Sequence, residues 1–419
     1  FQQYKDEYSD FTQGWAFLSR KKDISDFEWQ TMKLVIKKVY IWVILSTVMS
    51  ELMRKFKFIK SLQWWQVIIT VTFVINELGV FPLVVILFQP LVFTVAYTWR
   101  SKFVIWLCNG IALLLISVCK HYSAGEEFLI IFKLTDKETY ITILAIFWMN
   151  LRCVSYYLDL LDVPEREQRL MNFLSYSLYL PTAFSGPFIP YKDFKRCQQF
   201  DENLSSRLYT LLFEILRFLF WLFFAEFCLH FIYVNATSFH PEWVKSLDSW
   251  SLYGYGYTMG QFFHIKYLVF YGLATSFAKF ENVIVPSLPV CIGRIHLYSD
   301  MWKYFDAGLY NFLLSKLVQN RFLSSLICFI FVYIWHGTDG FILIWTVLNY
   351  IAIIIENIAA AINENHLQNS KLIHKLGPKW FRRISCIAAS PLLAVSAVSN
   401  FYFFARSEIG NIFALRFLN

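Results

Sequence analysis

An aspartate and a histidine in apolar surroundings are the residues of this sequence best suited to proton-transfer chemistry. Asp306 lies within Met301–Leu309, and His336 ends an apolar run directly before Gly337. In hydrocarbon an ionisable side chain is costly and normally faces a cavity or a partner. The pair therefore predicts a site, although a histidine bonded to a backbone carbonyl and an aspartate capping a helix would also explain it.

Further residues extend this candidate site. Trp302, Asp306 and Leu309 have the i, i+4, i+7 spacing that places them on one face of a helix. Trp335 directly precedes the histidine, and Asn400 is a polar residue inside the last apolar run. A histidine, an acid and an amide that meet in a membrane cavity are able to move protons on a lipid-borne group. Channels and transporters bury the same residue types, so spacing alone leaves both classes open.

The composition is that of a polytopic membrane protein. Of the 419 residues, 57% are hydrophobic, 20% are aromatic and only 16% are charged, and the mean hydropathy is +0.46. A soluble domain carries about a quarter charged residues, so this chain lacks the polar surface to cover itself in water. The net charge of +8 arises from basic clusters at the ends of apolar runs, which is typical of cytoplasmic loops. No basic array with sequence-reading helices occurs, and we predict no nucleic-acid partner.

The apolar runs predict an all-α polytopic membrane protein with a single domain over residues 1–419. A membrane-crossing helix needs about 20 apolar residues, and on that length we expect about nine to eleven membrane elements. Segments 180–190 and 284–300 are broken by proline and glycine and predict re-entrant structure. Such backbone must be enclosed by protein or line a cavity. The eight cysteines include no Cys-x-x-Cys pair, and they predict neither a disulfide framework nor a zinc site.

Five motifs in chain order resemble the Hedgehog acyltransferase branch of the membrane-bound O-acyltransferase superfamily. They are Lys21–Trp29, Tyr179–Pro187, Pro289–Cys291, Met301–Phe312 and Trp345–Asn357. The stretch Trp335–Gly337 on an apolar helix, after an acid-bearing helix, is similar to the superfamily as a whole. The resemblance extends from the start of the chain to about residue 412.

The resemblance implies a membrane-bound O-acyltransferase fold and a multi-pass location in the endoplasmic-reticulum membrane, in contact with membrane lipid. It implies an enzyme that transfers palmitate from palmitoyl-CoA to the α-amine of the N-terminal cysteine of a Hedgehog-type secreted protein. His336 and Asp306 match the essential histidine and acid of the family. They are therefore the predicted catalytic residues.

The resemblance also implies roles for the surrounding residues. Trp302 matches a residue at the acyl-CoA gate, and Trp335 and Asn400 match positions that line the reaction centre. Lys303 and Asn311 belong to the same motif as the acid, and we assign them to substrate binding. Palmitoyl-CoA is the expected co-substrate.

A cysteine and two departures complete the comparison with the family. Cys291 matches a cysteine that ligates haem iron, which predicts a structural haem b. The segment 313–321 runs directly into the next apolar run, where the family has a longer, tyrosine-rich loop. We therefore expect part of this loop, and the native termini, to be absent from this sequence. Ser185 stands where the family has asparagine.

The acceptor chemistry leaves alternatives. An α-amine has a pKa of about 7.7–8.0 and is already partly neutral near pH 7, so it is a good nucleophile toward a thioester. A related enzyme that acylates a serine hydroxyl or a lipid would depend much more strongly on His336 as a base. A non-enzymatic lipid transporter is a third reading, which buried polar residues alone do not exclude.

Overall fold

A computed structural model describes residues 10–123, 134–162, 170–195, 203–295, 297–316, 321–362 and 371–418. Within these ranges the chain is almost entirely helical, with one antiparallel pair of short strands, β1 (Phe11–Gln13) and β2 (Lys21–Asp23). In chain order the helices are α1 (Phe27–Lys55), α2 (Ile59–Glu77), α3 (Val80–Tyr97), α4 (Lys102–Ser123), α5 (Asp136–Leu161), α6 (Leu170–Ser177), α7 (Leu180–Ala183), α8 (Tyr191–Lys195), α9 (Leu204–Cys228), α10 (Val234–Thr237), α11 (Pro241–Ser246), α12 (Ser249–Phe280), α13 (Tyr298–Phe305), α14 (Ala307–Lys316), α15 (Arg321–His336), α16 (Gly340–Ile362) and α17 (Lys371–Leu418).

Five of the described helices are long and apolar enough to cross a membrane. By length and composition they are Val80–Tyr97, Asp136–Leu161, Leu204–Cys228, Gly340–Ala359 and Lys379–Leu418. The sequence prediction of an all-α polytopic membrane protein is confirmed. The larger number of membrane elements expected from sequence included shorter or less apolar segments, such as Phe322–His336, and stays a prediction.

The described chain divides into two compact units. The N-terminal unit comprises residues within 27–223 and 266–288, and the C-terminal unit comprises residues within 10–26, 224–265 and 289–418. Helices α9 and α12 contribute residues to both units. The single domain over residues 1–419 stays a prediction.

Helix α5 forms the centre of the N-terminal unit. Of the residues in its apolar stretch, 89% are buried, and the helix packs against α3 and α4 along its length. Its start is fixed by a capping box, in which Thr135 Oγ1 accepts from the backbone N–H of Glu138 and the Glu138 carboxylate accepts from the Thr135 N–H. This exchange satisfies two N–H groups that the first turn would otherwise leave without partners.

The predicted re-entrant segment 180–190 is buried and mostly non-helical beyond the short helix α7. The guanidinium of Arg152 donates to the backbone oxygen of Ser177 at 2.8 Å and to the backbone and hydroxyl oxygens of Thr182 at 2.6 and 2.9 Å. Tyr176 donates its hydroxyl proton to the Ile189 carbonyl at 2.8 Å. These bonds satisfy backbone groups that have no helical partner, as burial of irregular backbone requires.

The hairpin of β1 and β2 belongs to the C-terminal unit. Polar contacts attach it to residues between 230 and 236. The carboxylate of Asp23 accepts from the backbone N–H groups of Asn235 and Ala236 at the start of α10. The fully buried His230 accepts from the Trp15 N–H at 3.0 Å, while its other ring nitrogen lies 2.8 Å from the Glu226 carbonyl. Part of the motif at Lys21–Trp29 is thus explained by packing.

Helices α13 to α17 form the helical part of the C-terminal unit that carries the candidate site. Helix α16 packs against α15 and α17, and α13 packs against α16 and α17. Ile342, Trp345 and Tyr402 form the buried apolar cluster between α16 and α17. Helix α17 is interrupted by non-helical backbone at Gly377 and at Ala405–Arg406. The site is therefore built on packed helices.

Candidate active site

His336 is the last residue of α15, where the helix stops. Gly337 follows with φ +126°, a conformation that L side chains rarely adopt, and its N–H bonds the Tyr333 carbonyl at 3.1 Å. This glycine ends the helix and leaves the imidazole at its tip. The half-buried ring meets Phe403 edge-on with centroids 4.8 Å apart, and Trp345 with centroids 6.2 Å apart. His336 therefore lies between side chains of α16 and α17.

Asp306 lies between two helices, which corrects the helical face expected for Trp302, Asp306 and Leu309. Helix α13 ends at Phe305, and Asp306 has φ −129° and ψ 78°. Its Oδ1 accepts from the Leu309 N–H at 3.0 Å, and its backbone oxygen accepts from the Tyr310 N–H at 2.9 Å. Aspartate favours such a cap because its short side chain binds the orphan N–H groups of the following helix, here α14.

The indole of Trp302 is fixed by a buried amide. Its Nε1 donates to Asn349 Oδ1 at 2.9 Å, and its ring meets Trp345 edge-on with centroids 5.1 Å apart. Since Trp345 also contacts His336, an aromatic chain connects the helix that leads to Asp306 with the histidine. The structure thus connects Trp302 and His336 through Trp345, a residue for which no role was predicted from the sequence.

Asn400 is buried on α17 and already has partners. Its Oδ1 accepts from Trp345 Nε1 at 3.0 Å, and its Nδ2 lies 3.2 Å from Met301 Sδ. A thioether sulfur is a weak acceptor, so the N–H of this amide is held less firmly than its oxygen. The position beside Trp345 agrees with the prediction that Asn400 lies at the site, while its role in binding the thioester stays a prediction.

The remaining sequence-predicted residues lie at the edge of this arrangement. Trp335 stacks on Phe331 of its own helix with centroids 5.8 Å apart. Lys303 Nζ is 3.2 Å from Ser299 Oγ and 3.6 Å from the Asp300 carboxylate. Asn311 is exposed on α14. Their assignment to substrate binding stays a prediction.

The surroundings of Cys291 do not support the predicted haem. The half-buried thiol precedes a short 3-10 turn, Ile292–Arg294, and its Sγ lies 3.9 Å from both polar atoms of the Gln261 amide. An axial ligand must face the iron directly, and here an amide side chain stands against the sulfur. Among the described residues, no three or more His, Cys, Asp and Glu side chains group to hold a metal ion.

Sequence reasoning missed the buried side chains that organise the site. Asn349 and Ser399 are fully buried, and Trp345 is 1% exposed. Trp345, Asn349 and Glu356 lie in one of the motifs that resemble the family, and their spacing places them on one face of the otherwise apolar helix α16. This spacing predicts the helix face that these residues share, but it does not predict which side chains of other helices they contact.

The arrangement is suited to proton transfer next to an apolar group. An imidazole exchanges protons near neutral pH, and its aromatic neighbours remove it partly from water, which strengthens electrostatic interactions at the site. The aromatic side chains also offer an apolar surface to a lipid chain. These properties suit acyl transfer.

The chain matches the membrane-bound O-acyltransferase family over residues 93–398. It is 30% identical over 325 residues to the protein-cysteine N-palmitoyltransferase Rasp of Drosophila melanogaster, covering 74% of this chain and 63% of Rasp. It is 25% identical over 418 residues to the protein-cysteine N-palmitoyltransferase HHAT of Mus musculus, covering 94% of this chain and 82% of HHAT. It is 23% identical over 265 residues to the membrane-bound O-acyltransferase GUP1 of Millerozyma farinosa, covering 61% of this chain and 50% of GUP1.

These similarities place the chain in a family without fixing its acceptor. The chain spans 63% of the length of Rasp, and GUP1 shares the family but has a more general name. The family match extends over more than half of the chain, from α3 into α17, and the superfamily predicted from the sequence motifs is confirmed. The chain belongs to the membrane-bound O-acyltransferase family.

Proposed function

We propose that this protein transfers palmitate from palmitoyl-CoA to the α-amine of the N-terminal cysteine of a Hedgehog-type secreted protein. The observation that carries the proposal is the position of His336 at the tip of α15, against Trp345 and Phe403. Two relatives named as protein-cysteine N-palmitoyltransferases support the choice of acceptor. Since the acceptor is a secreted protein, we place the enzyme in the endoplasmic-reticulum membrane.

The reaction forms an amide bond and breaks a thioester. The neutral α-amine attacks the carbonyl carbon of palmitoyl-CoA, and the resulting tetrahedral centre collapses with release of the CoA thiolate. The amine must lose a proton as the bond forms, and His336 receives it and returns it to the departing thiolate. About a fifth of the α-amine is neutral near pH 7.2, so the histidine is needed mainly for the proton released during attack.

Asp306 is assigned to the acceptor. The incoming chain end carries a positive charge until it is deprotonated, and a carboxylate attracts an ammonium group. A carboxylate would repel the developing oxyanion of the thioester, so stabilisation of that oxygen requires N–H donors. Asn400 is the candidate, because the acceptor of its N–H among the described residues is a weak one, the thioether of Met301.

Binding of the donor depends on its acyl chain. Each buried methylene contributes about 0.8 kcal/mol to the affinity of a lipid chain, and the C-terminal unit offers the partly buried aromatic side chains of Trp302 and Phe403. The CoA group is released after transfer.

A hydroxyl acceptor is the second candidate, favoured by the similarity to GUP1. Purified protein should be incubated with labelled palmitoyl-CoA and peptides that begin with cysteine, with serine, or with N-acetylated cysteine. We expect the first peptide to be acylated in a form that resists hydroxylamine, because an amide resists it and a thioester does not. Acylation of the acetylated peptide at a comparable rate would contradict transfer to the α-amine and favour a thiol or hydroxyl acceptor.

A further inference from the structure

The amide of Asn349 bonds the indole of Trp302 and the backbone of Trp345. Its Oδ1 accepts from Trp302 Nε1 at 2.9 Å, and its Nδ2 donates to the Trp345 carbonyl at 2.6 Å and to Ser399 Oγ at 3.3 Å. Asn349 is fully buried. Because water cannot replace a lost partner there, removing the amide leaves polar groups of two helices unsatisfied.

A second contact from the same helix fixes the other end of α13. Glu356, seven residues after Asn349 and on the same face of α16, accepts from the Ser299 N–H at 2.8 Å. A carboxylate at the first turn of a helix is favourable, because that end carries partial positive charge. Helix α13 is thus held at its first turn and at Trp302, one turn before Asp306.

Helix α17 completes the support of α13. Ser396 Oγ and Asn400 Nδ2 lie 3.7 and 3.2 Å from the sulfur of Met301, which precedes Trp302. Two neighbouring residues of α13 therefore bond to buried amides on different helices. A tilt of α13 would have to break bonds to both α16 and α17.

We propose that Asn349 is a positioning residue for the transfer reaction, which holds the Trp302 indole against Trp345, the residue that contacts His336. The inference rests on the proposed function. Asn349 acts through the tryptophans, and its loss frees the Trp302 indole to rotate within the aromatic chain. Since a displacement of about 1 Å at a reacting centre costs about 100-fold in rate, a loosened indole should lower turnover in a protein that is still folded.

The test is a double-mutant cycle on transfer to the cysteine-first peptide. Asn349→Leu removes the amide at similar volume, and we expect kcat to fall about 10- to 100-fold. The KM for palmitoyl-CoA should change much less. Trp302→Phe removes the donor of the same bond, and Asn349→Leu should cost clearly less in that background, because the bond is already absent. Asn357→Leu, the same substitution two turns along α16, is the matched control and should retain wild-type kcat.

Four outcomes would contradict either the positioning role of Asn349 or the proposed function. Wild-type kcat in folded Asn349→Leu, or effects that simply add in the double variant, would overturn the positioning role. If Asn349→Leu fails to fold, Trp302→Phe breaks the same bond from the other side, and its wild-type kcat would equally overturn it. A wild-type protein that acylates no peptide would contradict the proposed function, and the same cycle measured on thermal unfolding would then test the Asn349–Trp302 bond.

Discussion

Arg152 and Asn349 are both buried polar residues on helices of this membrane protein, and they differ in what they bind. Arg152 donates to the backbone oxygen of Ser177 and to two oxygens of Thr182. Asn349 binds the indole of Trp302 and other groups of the candidate site. An ionisable or polar residue within a membrane is a candidate for function by default. The partners of the two residues therefore differ. Arg152 holds irregular backbone, whereas Asn349 holds a side chain of the candidate site.

The charge of Arg152 is accommodated without a carboxylate among its described contacts. Ser177 ends α6 and Thr182 lies near the end of α7, and carbonyls at helix C-termini carry partial negative charge. A guanidinium presents several donors in a fixed plane and is able to bind such oxygens together. The N-terminal unit therefore uses its buried cation to hold the re-entrant segment, whereas the C-terminal unit uses neutral amides around a histidine.

The largest expected effect is loss of transfer on His336→Ala. If the histidine carries the proton, its removal should lower kcat by about 10²- to 10⁴-fold, while the thermal unfolding midpoint stays near that of wild type. Measurement of kcat with the cysteine-first peptide checks this. His240→Ala is the control, because this histidine lies outside helices α13 to α17. Near-normal turnover in His336→Ala would contradict proton transfer by His336 and show that this residue, like Arg152, has a structural role.

Arg152→Met should show the opposite pattern. The substitution leaves three buried oxygens without their donor, and at about 1 kcal/mol or more for each we expect a loss of about 3 kcal/mol in unfolding free energy. Molecules that remain folded should retain kcat. Denaturant unfolding in detergent measures the loss, with the exposed Arg217→Met as the matched control. A fully stable Arg152→Met protein without activity would reverse the assignment and point to a site in the N-terminal unit.

The class of fold could be predicted from the sequence, whereas the contacts between side chains of the candidate site could not. Hydropathy identified the membrane helices, and the prolines and glycine of 180–190 identified a segment that could not continue as a helix. The structure places His336, Trp302 and Asn400 around Trp345, and their roles stay predictions. These predictions depend on local pattern or on resemblance, and both can be read without knowing which helices pack together.

The partners could not be read in the same way. Periodicity places Asn349 on a buried face of α16, but whether it meets Trp302 depends on how α13 packs against that face. The expected helical face through Asp306 was wrong because hydrogen bonds from a short aspartate side chain to the backbone compete with continuation of the helix. The haem at Cys291 was predicted from the resemblance and from the broken backbone beside it, and neither shows that the Gln261 amide lies 3.9 Å from the sulfur.

Asp306 gives the smallest and most informative comparison, because its two roles respond differently to two substitutions. Asparagine caps helices about as well as aspartate, whereas alanine costs about 1 kcal/mol. Asp306→Asn should therefore keep the stability of α14, and Asp306→Ala should lose about that amount. If the charge holds the incoming ammonium group, both variants should lose about 10- to 100-fold in kcat/KM for the peptide, equivalent to about 1.4–2.7 kcal/mol.

The measurements that separate the roles of Asp306 are thermal unfolding and the KM values of the two substrates. The peptide KM should rise in both variants, while the KM for palmitoyl-CoA should stay near wild type because the thioester carries no positive charge at its reacting end. If Asp306→Asn retains full activity and only Asp306→Ala is impaired, the carboxylate is a helix cap like the Thr135 cap of α5. The C-terminal unit would then depend on His336 and its aromatic neighbours without a second charged group.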